Sequence, residues 1–502
     1  MEDKDIMPAD RKQKMEQEIA KALESLRLAE ARRPMDFALQ LGYAVYVRLF
    51  VEAQRRPGLQ QHFPYGGFLM QWTRAEEPME RSQRVWELQY QVRYCASIVE
   101  EGHFMDKAVF TDRGDWAEQI SRLVDLAADG CGWREEPGRD DPSVQDTAIP
   151  EDFGWLLEET VRQIVQQGNS GCFLLSRPLM ELMADMADIG GEKRVWNPGC
   201  RTGGFLKLLF MKNPALQLAG SEEEKDFITL ARMLRFCFGG GQVQLRAEDP
   251  LKETGKEQYD VIFANPPVGE VEQEAADRFL VSTRKIPLQY LQMMMERLAP
   301  GGMALAVVNE SVLFRYDAEQ KVRKRLAEER KLEGVLSLPA GALLPYTAAK
   351  ASLLIFSRGN TEKSAVWFYE AFLPDAEEQK KAAEGTDPRI LTECEAEAIL
   401  SCWRRRDALY QKWRAGLTAD SRLNKWENPV PAGWEEACWF ADPETIRKND
   451  YNLTAGRYKP WQEEAPLPEG ESPTRLLLEL AAMEKESAAK IQELIEMTKK
   501  YE

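Results

Sequence analysis

The sequence predicts a doubly wound α/β fold, a mostly parallel sheet with helices on both faces, set between an all-helical N-terminal region and a helical C-terminal tail. Three observations predict it. Between about residues 190 and 370, short runs rich in β-branched and aromatic residues alternate with helical stretches. On either side of that block, apolar residues recur at helical spacing within strongly charged sequence. A segment with three prolines, many acidic residues and no apolar period, 133–150, separates the first helical region from the rest of the chain.

Taken in order, residues 8–32 read as a charged amphipathic helix and 37–52 as a much more apolar one, with further helices at 79–101 and 115–128. After the linker at 133–150, a helix resumes over 153–167. These boundaries divide the chain into a helical domain (1–150), an α/β domain (151–375) and a helical C-terminal region (376–502). Strands are expected at 193–197, 216–221, 242–249, 259–265, 302–309, 332–339, 351–358 and 364–371, with helices at 223–237, 288–298 and 317–330 among them. In the tail, Ser472-Pro473 offers an N-cap followed by proline at the first helical position, ahead of a stripe formed by Leu476, Leu480, Met483, Ile491 and Leu494. Such a stripe either packs on its own protein or docks a partner helix, and Ser487 within it interrupts a coiled-coil repeat.

Composition removes several function classes. The 502 residues suffice for two or three domains, and no apolar run approaches the ~20 residues of a membrane helix. The N-terminus lacks the basic-then-apolar pattern of a secretory signal, and the eight cysteines form no CxxC pair. A cytoplasmic protein without disulfides or a metal site is therefore expected. His62 and His103, far from each other and from any ligand cluster, read as partly buried helix residues. A net charge of −17 argues against a protein that wraps nucleic acid alone. DNA contact through a local basic channel, or with a partner subunit supplying positive charge, remains open.

The chemistry concentrates at the expected strand ends. The first strand runs into Asn197-Pro198-Gly199-Cys200-Arg201-Thr202-Gly203-Gly204, a glycine-containing turn before a helix, where backbone can approach a ligand closely. The second ends at Glu222, a side chain able to accept hydrogen bonds from two ribose hydroxyls, and the third leads to Asp249, able to accept one from an adenine amine. Taken singly, each carboxylate reads equally as a helix N-cap or a solvated strand end. The fourth ends at Asn265-Pro266-Pro267-Val268, a stiff turn that holds an amide side chain outward. The order glycine loop, acid, acid, Asn-Pro-Pro, each at a strand end, is what gives the set its meaning.

With these residues in view, the chain resembles the modification subunits of type I restriction-modification systems, within the adenine-N6 DNA methyltransferases. NPGCRTGGFL stands where that family carries DPACGTGGFL, and NPPV where it carries NPPF or NPPY. Residues 171–177 fall at the family's GEFYTPR-like stretch, NESVLFR (309–315) resembles PNGVLFR, and IRKNDYNLTAGRY (446–458) resembles IRENDYNLNIPRY. The resemblance implies a Rossmann-like methyltransferase sheet with S-adenosylmethionine as methyl donor. The cofactor would lie against Asn197, Gly199, Arg201, Thr202 and Gly203, with Glu222 on its ribose and Asp249 near its adenine. Asn265 and Pro266 would grip the target amine of an adenine flipped out of double-stranded DNA, and Pro267 and Val268 would flank it. A specificity subunit, and a restriction subunit beside it, are the implied partners.

Several positions depart from the family pattern. Val268 replaces an aromatic on which the base stacks, Asn197 an Asp that orders the loop, and Arg201 a Gly; Leu174, Leu175 and Ser176 replace Tyr, Thr and Pro. A left-handed backbone at Arg201 would cost about 1–2 kcal/mol and aim its side chain at the methionine pocket. These departures define the alternative reading, a catalytically degenerate scaffold or regulator in a defence complex.

Overall fold

The computed structural model describes residues 8–28, 34–55, 72–77, 79–98, 116–130, 151–166, 174–252, 257–343, 347, 349–359, 365–371, 393–416, 436–460 and 485. The linker at 133–150, both histidines and the Leu476–Leu494 stripe lie outside these residues. The chain divides into two units, Met1–Trp413 with Glu435–Tyr458, and Arg414–Trp434 with Lys459–Glu502. The described residues belong almost entirely to the first.

Among the described residues, five helices open the chain: α1 (Ala9–Leu28), α2 (Pro34–Arg55), α3 (Arg81–Ile98), α4 (Trp116–Gly130) and α5 (Glu151–Gln166). The most apolar of them, α2, is central: Phe37, Leu41, Val45, Leu49 and Val51 are all buried. Its interior also holds an ion pair, Arg48 to Glu52 at 3.0 Å, one helical turn apart. Trp72 donates to Asp125 at 2.8 Å, and Arg74 meets Asp129 through two bonds of 2.9 and 2.8 Å, tying the segment before α3 to α4. The same apolar cluster takes in Phe227, Leu230, Met233 and Leu234 of α8 (Lys225–Cys237). The helical layer thus shares its core with one face of the sheet domain.

The eight expected strands are all present. They are β1 (Arg194–Pro198), β2 (Gln217–Ser221), β3 (Gln244–Arg246), β4 (Tyr259–Ala264), β5 (Leu298–Asn309), β6 (Lys331–Ser337), β7 (Ala351–Ser357) and β8 (Val366–Glu370). A ninth, β9 (Cys438–Ala441), carries too few residues to show a period and pairs antiparallel with β8. The order is β3-β2-β1-β4-β5-β7-β6-β8-β9. Strands β1 to β5 run parallel, and β7 lies antiparallel between β5 and β6. Two strand boundaries differ from expectation by three residues or more. The third strand stops at Arg246, so Asp249 lies in the turn beyond it, and β5 begins at Leu298, directly after α9 (Ile286–Arg297).

This order positions the site. From β1 the chain moves outward to β2 and β3, then returns to place β4 on the other side of β1. Crossovers from the two strands leave on opposite sides, so a crevice opens beyond the carboxyl ends of β1 and β4, where doubly wound sheets hold ligands. The loops that follow these strands are the glycine loop and the Asn-Pro-Pro turn. Two helices, α6 (Arg177–Met186) and α7 (Gly204–Lys212), flank β1 in the chain.

The motif at 446–458 has a structural task. It begins in α14 (Pro443–Lys448), after α12 (Glu393–Arg404) and α13 (Arg406–Gly416). Leu453 donates its amide at 2.8 Å to the Leu313 carbonyl in α10 (Glu310–Phe314). Arg323, in α11 (Ala318–Glu329) and 1% exposed, donates to the carbonyls of Tyr451 at 2.6 Å and Val312 at 2.7 Å. Tyr458 stacks on Phe368 of β8 at 4.9 Å. A buried guanidinium satisfied by two carbonyls locks this distant stretch onto the helices that follow β5.

Candidate active site

Pro198 ends β1, and the chain turns at once. The amides of Gly199 and Cys200 both donate to the Ser221 carbonyl at the end of β2, at 2.8 and 3.1 Å, and the Gly203 amide closes the turn on Cys200 at 2.9 Å. Three left-handed residues make the turn compact: Gly199 (φ +67°), Arg201 (φ +53°) and Gly203 (φ +81°). The two glycines take that conformation freely, whereas Arg201 takes it at a cost of about 1–2 kcal/mol. Gly203 caps α7, and Thr202 is buried in the loop.

Glu222 follows β2 and is buried. Its amide donates to the Arg246 carbonyl at 3.0 Å, which fixes its position relative to β3. One carboxylate oxygen accepts the Arg201 amide at 2.9 Å and the other the Glu224 amide at 3.0 Å. Each oxygen keeps a second lone pair for a further donor. The Arg201 side chain turns inward over this carboxylate, with Nη1 at 3.9 Å from Glu222 Oε2 and the guanidinium carbon 6.0 Å from the Phe227 ring centre. Its Nε is buried without a hydrogen-bond partner. Asp249 uses one oxygen to accept the Leu251 amide at 2.9 Å, while the other stands 3.1 Å from Lys252 Nζ.

These residues meet around Tyr290 of α9, which the sequence reading did not single out. Its hydroxyl lies 3.1 Å from where a Cβ on Gly199 would stand, so any side chain there would press on the phenol. Burial pushes its titration far above the ordinary tyrosine range. Arg201 opposes that rise, and Glu222, Asp249 and Cys200 add to it. The Cys200 thiol is likewise held well above its ordinary range by burial and by Glu222, so it carries no nucleophilic thiolate near neutral pH. Only the helical period around position 290 was legible beforehand, and a tyrosine within a helix carries no separate signal.

The Asn-Pro-Pro turn stands at the end of β4, beside the glycine loop. Asn265 and Pro267 are half-buried, Pro266 is buried, and Val268 is 57% exposed. The turn is clamped from below: Gly269 accepts the Ile286 amide at 3.0 Å, and Val271 donates to Arg284 at 2.8 Å. The clamp joins it to the start of α9, the helix that carries Tyr290. Asn197 does not point into the crevice freely; its side-chain amide donates to the Phe263 carbonyl of β4 at 2.8 Å. Thus β1 and β4 are tied at the level of the site. Of the upstream stretch, 171–173 lie outside the described residues, while Leu174 packs on the helical core and Ser176 precedes α6 with its hydroxyl oxygen buried and unbonded. Among the described residues no cluster with the composition of a metal site occurs, and no helix is long and apolar enough to cross a membrane.

Comparison with known proteins agrees with this architecture. The model of the family described as N-6 DNA Methylase matches residues 149–465. The methylase subunit of the type I restriction enzyme EcoEI from Escherichia coli is 30% identical over 293 residues, covering 53% of this chain and 58% of that protein. The StySPI methylase subunit from Salmonella potsdam is 26% identical over 258 residues, covering 44% of this chain and 48% of that one. The chain therefore spans about half the length of the curated relatives it matches. Among solved structures, a chain from a study of complex assembly and conformational transition in a type I restriction-modification system superposes with a TM-score of 0.63 at 22% identity, covering 97% of this chain and 99% of that one. The type I methyltransferase subunit from Streptococcus thermophilus gives a TM-score of 0.61 at 18% identity over 89% of this chain and 99% of that one. At those identities the superpositions speak for the fold, a Rossmann-like methyltransferase sheet with its helical additions. With a family model covering well over half of its length and the motif loops at the carboxyl ends of β1 and β4, the chain belongs to the N-6 DNA methylase family.

Proposed function

We propose that this protein is the methylating subunit of a type I restriction-modification system. It transfers a methyl group from S-adenosylmethionine to the N6 amine of an adenine flipped out of double-stranded DNA, in the cytoplasm and together with specificity and restriction subunits. The observation that carries this reading is the pairing of the two loops: the turn bearing Asn265 and the loop bearing Gly199 to Gly203 stand at the ends of adjacent strands, joined through Asn197 and Phe263.

The residues present fit the cofactor. A left-handed glycine turn lets backbone come close to the methionine half. The Glu222 carboxylate retains lone pairs for two ribose hydroxyls, and Asp249 stands beyond β3 for the adenine side. When bound, S-adenosylmethionine supplies a methyl group on a positively charged sulfur. The rest of the chemistry belongs to the chain. Adenine's exocyclic amine is a poor nucleophile because its lone pair is delocalised into the ring. Hydrogen bonds from that amine to the Asn265 side-chain oxygen and the Pro266 carbonyl turn the lone pair out of conjugation and hold it in line for attack. The two prolines keep those acceptors from following the base as it moves. Specificity in DNA sequence is left to a partner, in keeping with the chain's acidity.

The competing reading, a catalytically silent scaffold, draws on the inward Arg201 side chain and on the exposed Val268. Membership of the methylase family and the intact Asn265-Pro266-Pro267 turn support the enzyme. The test uses the full chain with its specificity subunit, radiolabelled S-adenosylmethionine and unmethylated DNA. Label should enter adenine with the wild type and fall by about a hundredfold or more in Asn265→Ala, with cofactor affinity kept. Cofactor binding without any transfer by the wild type would instead identify a scaffold.

A further inference from the structure

We propose that Arg201 is the residue that binds the amino-acid carboxylate of the cofactor, a cation placed where the resemblance expects glycine. The inference rests on the assignment of S-adenosylmethionine to this site and deepens it.

Three observations converge on the side chain. Arg201 is held in the left-handed region at φ +53° by the hydrogen bonds of its own loop, and its guanidinium lies over the Glu222 carboxylate. The guanidinium is mostly enclosed, with 17% of the side chain exposed, and its Nε is buried without a hydrogen-bond partner. Its nearest anion, Glu222, is at 3.9 Å, beyond hydrogen-bond distance, and that carboxylate already accepts two backbone amides. A buried guanidinium nitrogen left unbonded is costly, and a planar fork of donors is matched best by a carboxylate that accepts two parallel bonds.

The amino-acid end of S-adenosylmethionine or S-adenosylhomocysteine brings such a carboxylate. With ribose hydroxyls on Glu222, the guanidinium gains a closer partner than that carboxylate, swinging about its flexible stem without movement of the loop. Phe227, whose ring centre is 6.0 Å from the guanidinium carbon, gives that swing an apolar wall. Arg201 then acts as a specificity determinant for ligands that carry an α-amino acid, at the expense of truncated nucleosides.

The test compares two thioethers that differ only at that end, S-adenosylhomocysteine and 5′-methylthioadenosine. Calorimetry is run on the full chain as wild type, Arg201→Gly and Arg201→Lys. Loop strain acts on both ligands and cancels in the ratio of their affinities, whereas space freed at the amino-acid end favours S-adenosylhomocysteine and so cannot mimic a loss of preference for it. The wild type should prefer S-adenosylhomocysteine, and the preference should shrink by at least about tenfold in Arg201→Gly, as expected for loss of a charge-assisted pair. Arg201→Lys should fall between, keeping the charge without the fork. A preference for S-adenosylhomocysteine that stays unchanged or grows in Arg201→Gly would make Arg201 a plug and overturn the proposal. Failure of S-adenosylhomocysteine to bind the wild type overturns the cofactor assignment itself, a distinct result because no variant is needed to see it.

Discussion

Asn197 donates its side-chain amide to the carbonyl of Phe263 across 2.8 Å, and this bond joins the strand that feeds the glycine loop to the strand that feeds the Asn-Pro-Pro turn. Both residues are buried, so the bond is shielded from water and sets the spacing of the two loops. Where the related sequences carry an Asp, this chain has a residue that can donate, and the neighbouring strand uses it.

Restoring the family's acid should therefore harm this protein. An ionised Asn197→Asp side chain has no donor, leaves the Phe263 carbonyl unsatisfied and buries a charge beside it. A loss of about 1–3 kcal/mol is expected, read as a lower denaturation midpoint in chemical unfolding. An unchanged midpoint would show that the loop relaxes around the carboxylate.

Glu222→Gln should weaken the cofactor site more than the fold. The amide retains one acceptor for the two backbone amides of Arg201 and Glu224, so one of them loses its partner and the ribose meets a weaker acceptor. The dissociation constant for S-adenosylmethionine should rise at least about tenfold by calorimetry.

Val268 is 57% exposed, so an aromatic side chain there meets no packing penalty. Val268→Phe should add base stacking of about 1–3 kcal/mol, tightening capture of the flipped base by roughly tenfold to a hundredfold. The reporter is fluorescence of 2-aminopurine at the target position, in the complex with the specificity subunit. No change would place the stacking surface on another residue.

Acid should undo one clamp at the outer edge of the sheet. Glu257 accepts from Arg246 at 2.6 Å and from Tyr259 at 2.8 Å, and the Arg246 bond foremost holds its carboxyl below the usual range. A depressed folded-state pKa means the contribution is fully present above the ordinary value of 4.5 and disappears as pH falls through the folded one. The thermal advantage of the wild type over Glu257→Gln should thus be present at neutral pH and shrink steadily below pH 4.5. A pH-independent difference would assign the effect to packing.

The sequence by itself determined the strands and the order of the site. Short apolar runs that lead into Gly, Asp or Pro mark strand ends because burial and turn chemistry are local properties. The glycine loop, the two acids and the Asn-Pro-Pro turn were therefore legible along the chain. Only the tertiary structure decided what those residues touch. It brought Tyr290, from a helix far along the chain, against Gly199 in the middle of the site. It ended β3 early, so that Asp249 closes its own turn, and it committed Asn197 to a neighbouring strand. It also turned Arg201 inward. Each of these depends on strand register and on side chains from distant segments, and periodicity carries no record of either: a residue's spacing fixes the face it lies on, while its partner is fixed by which element packs against that face.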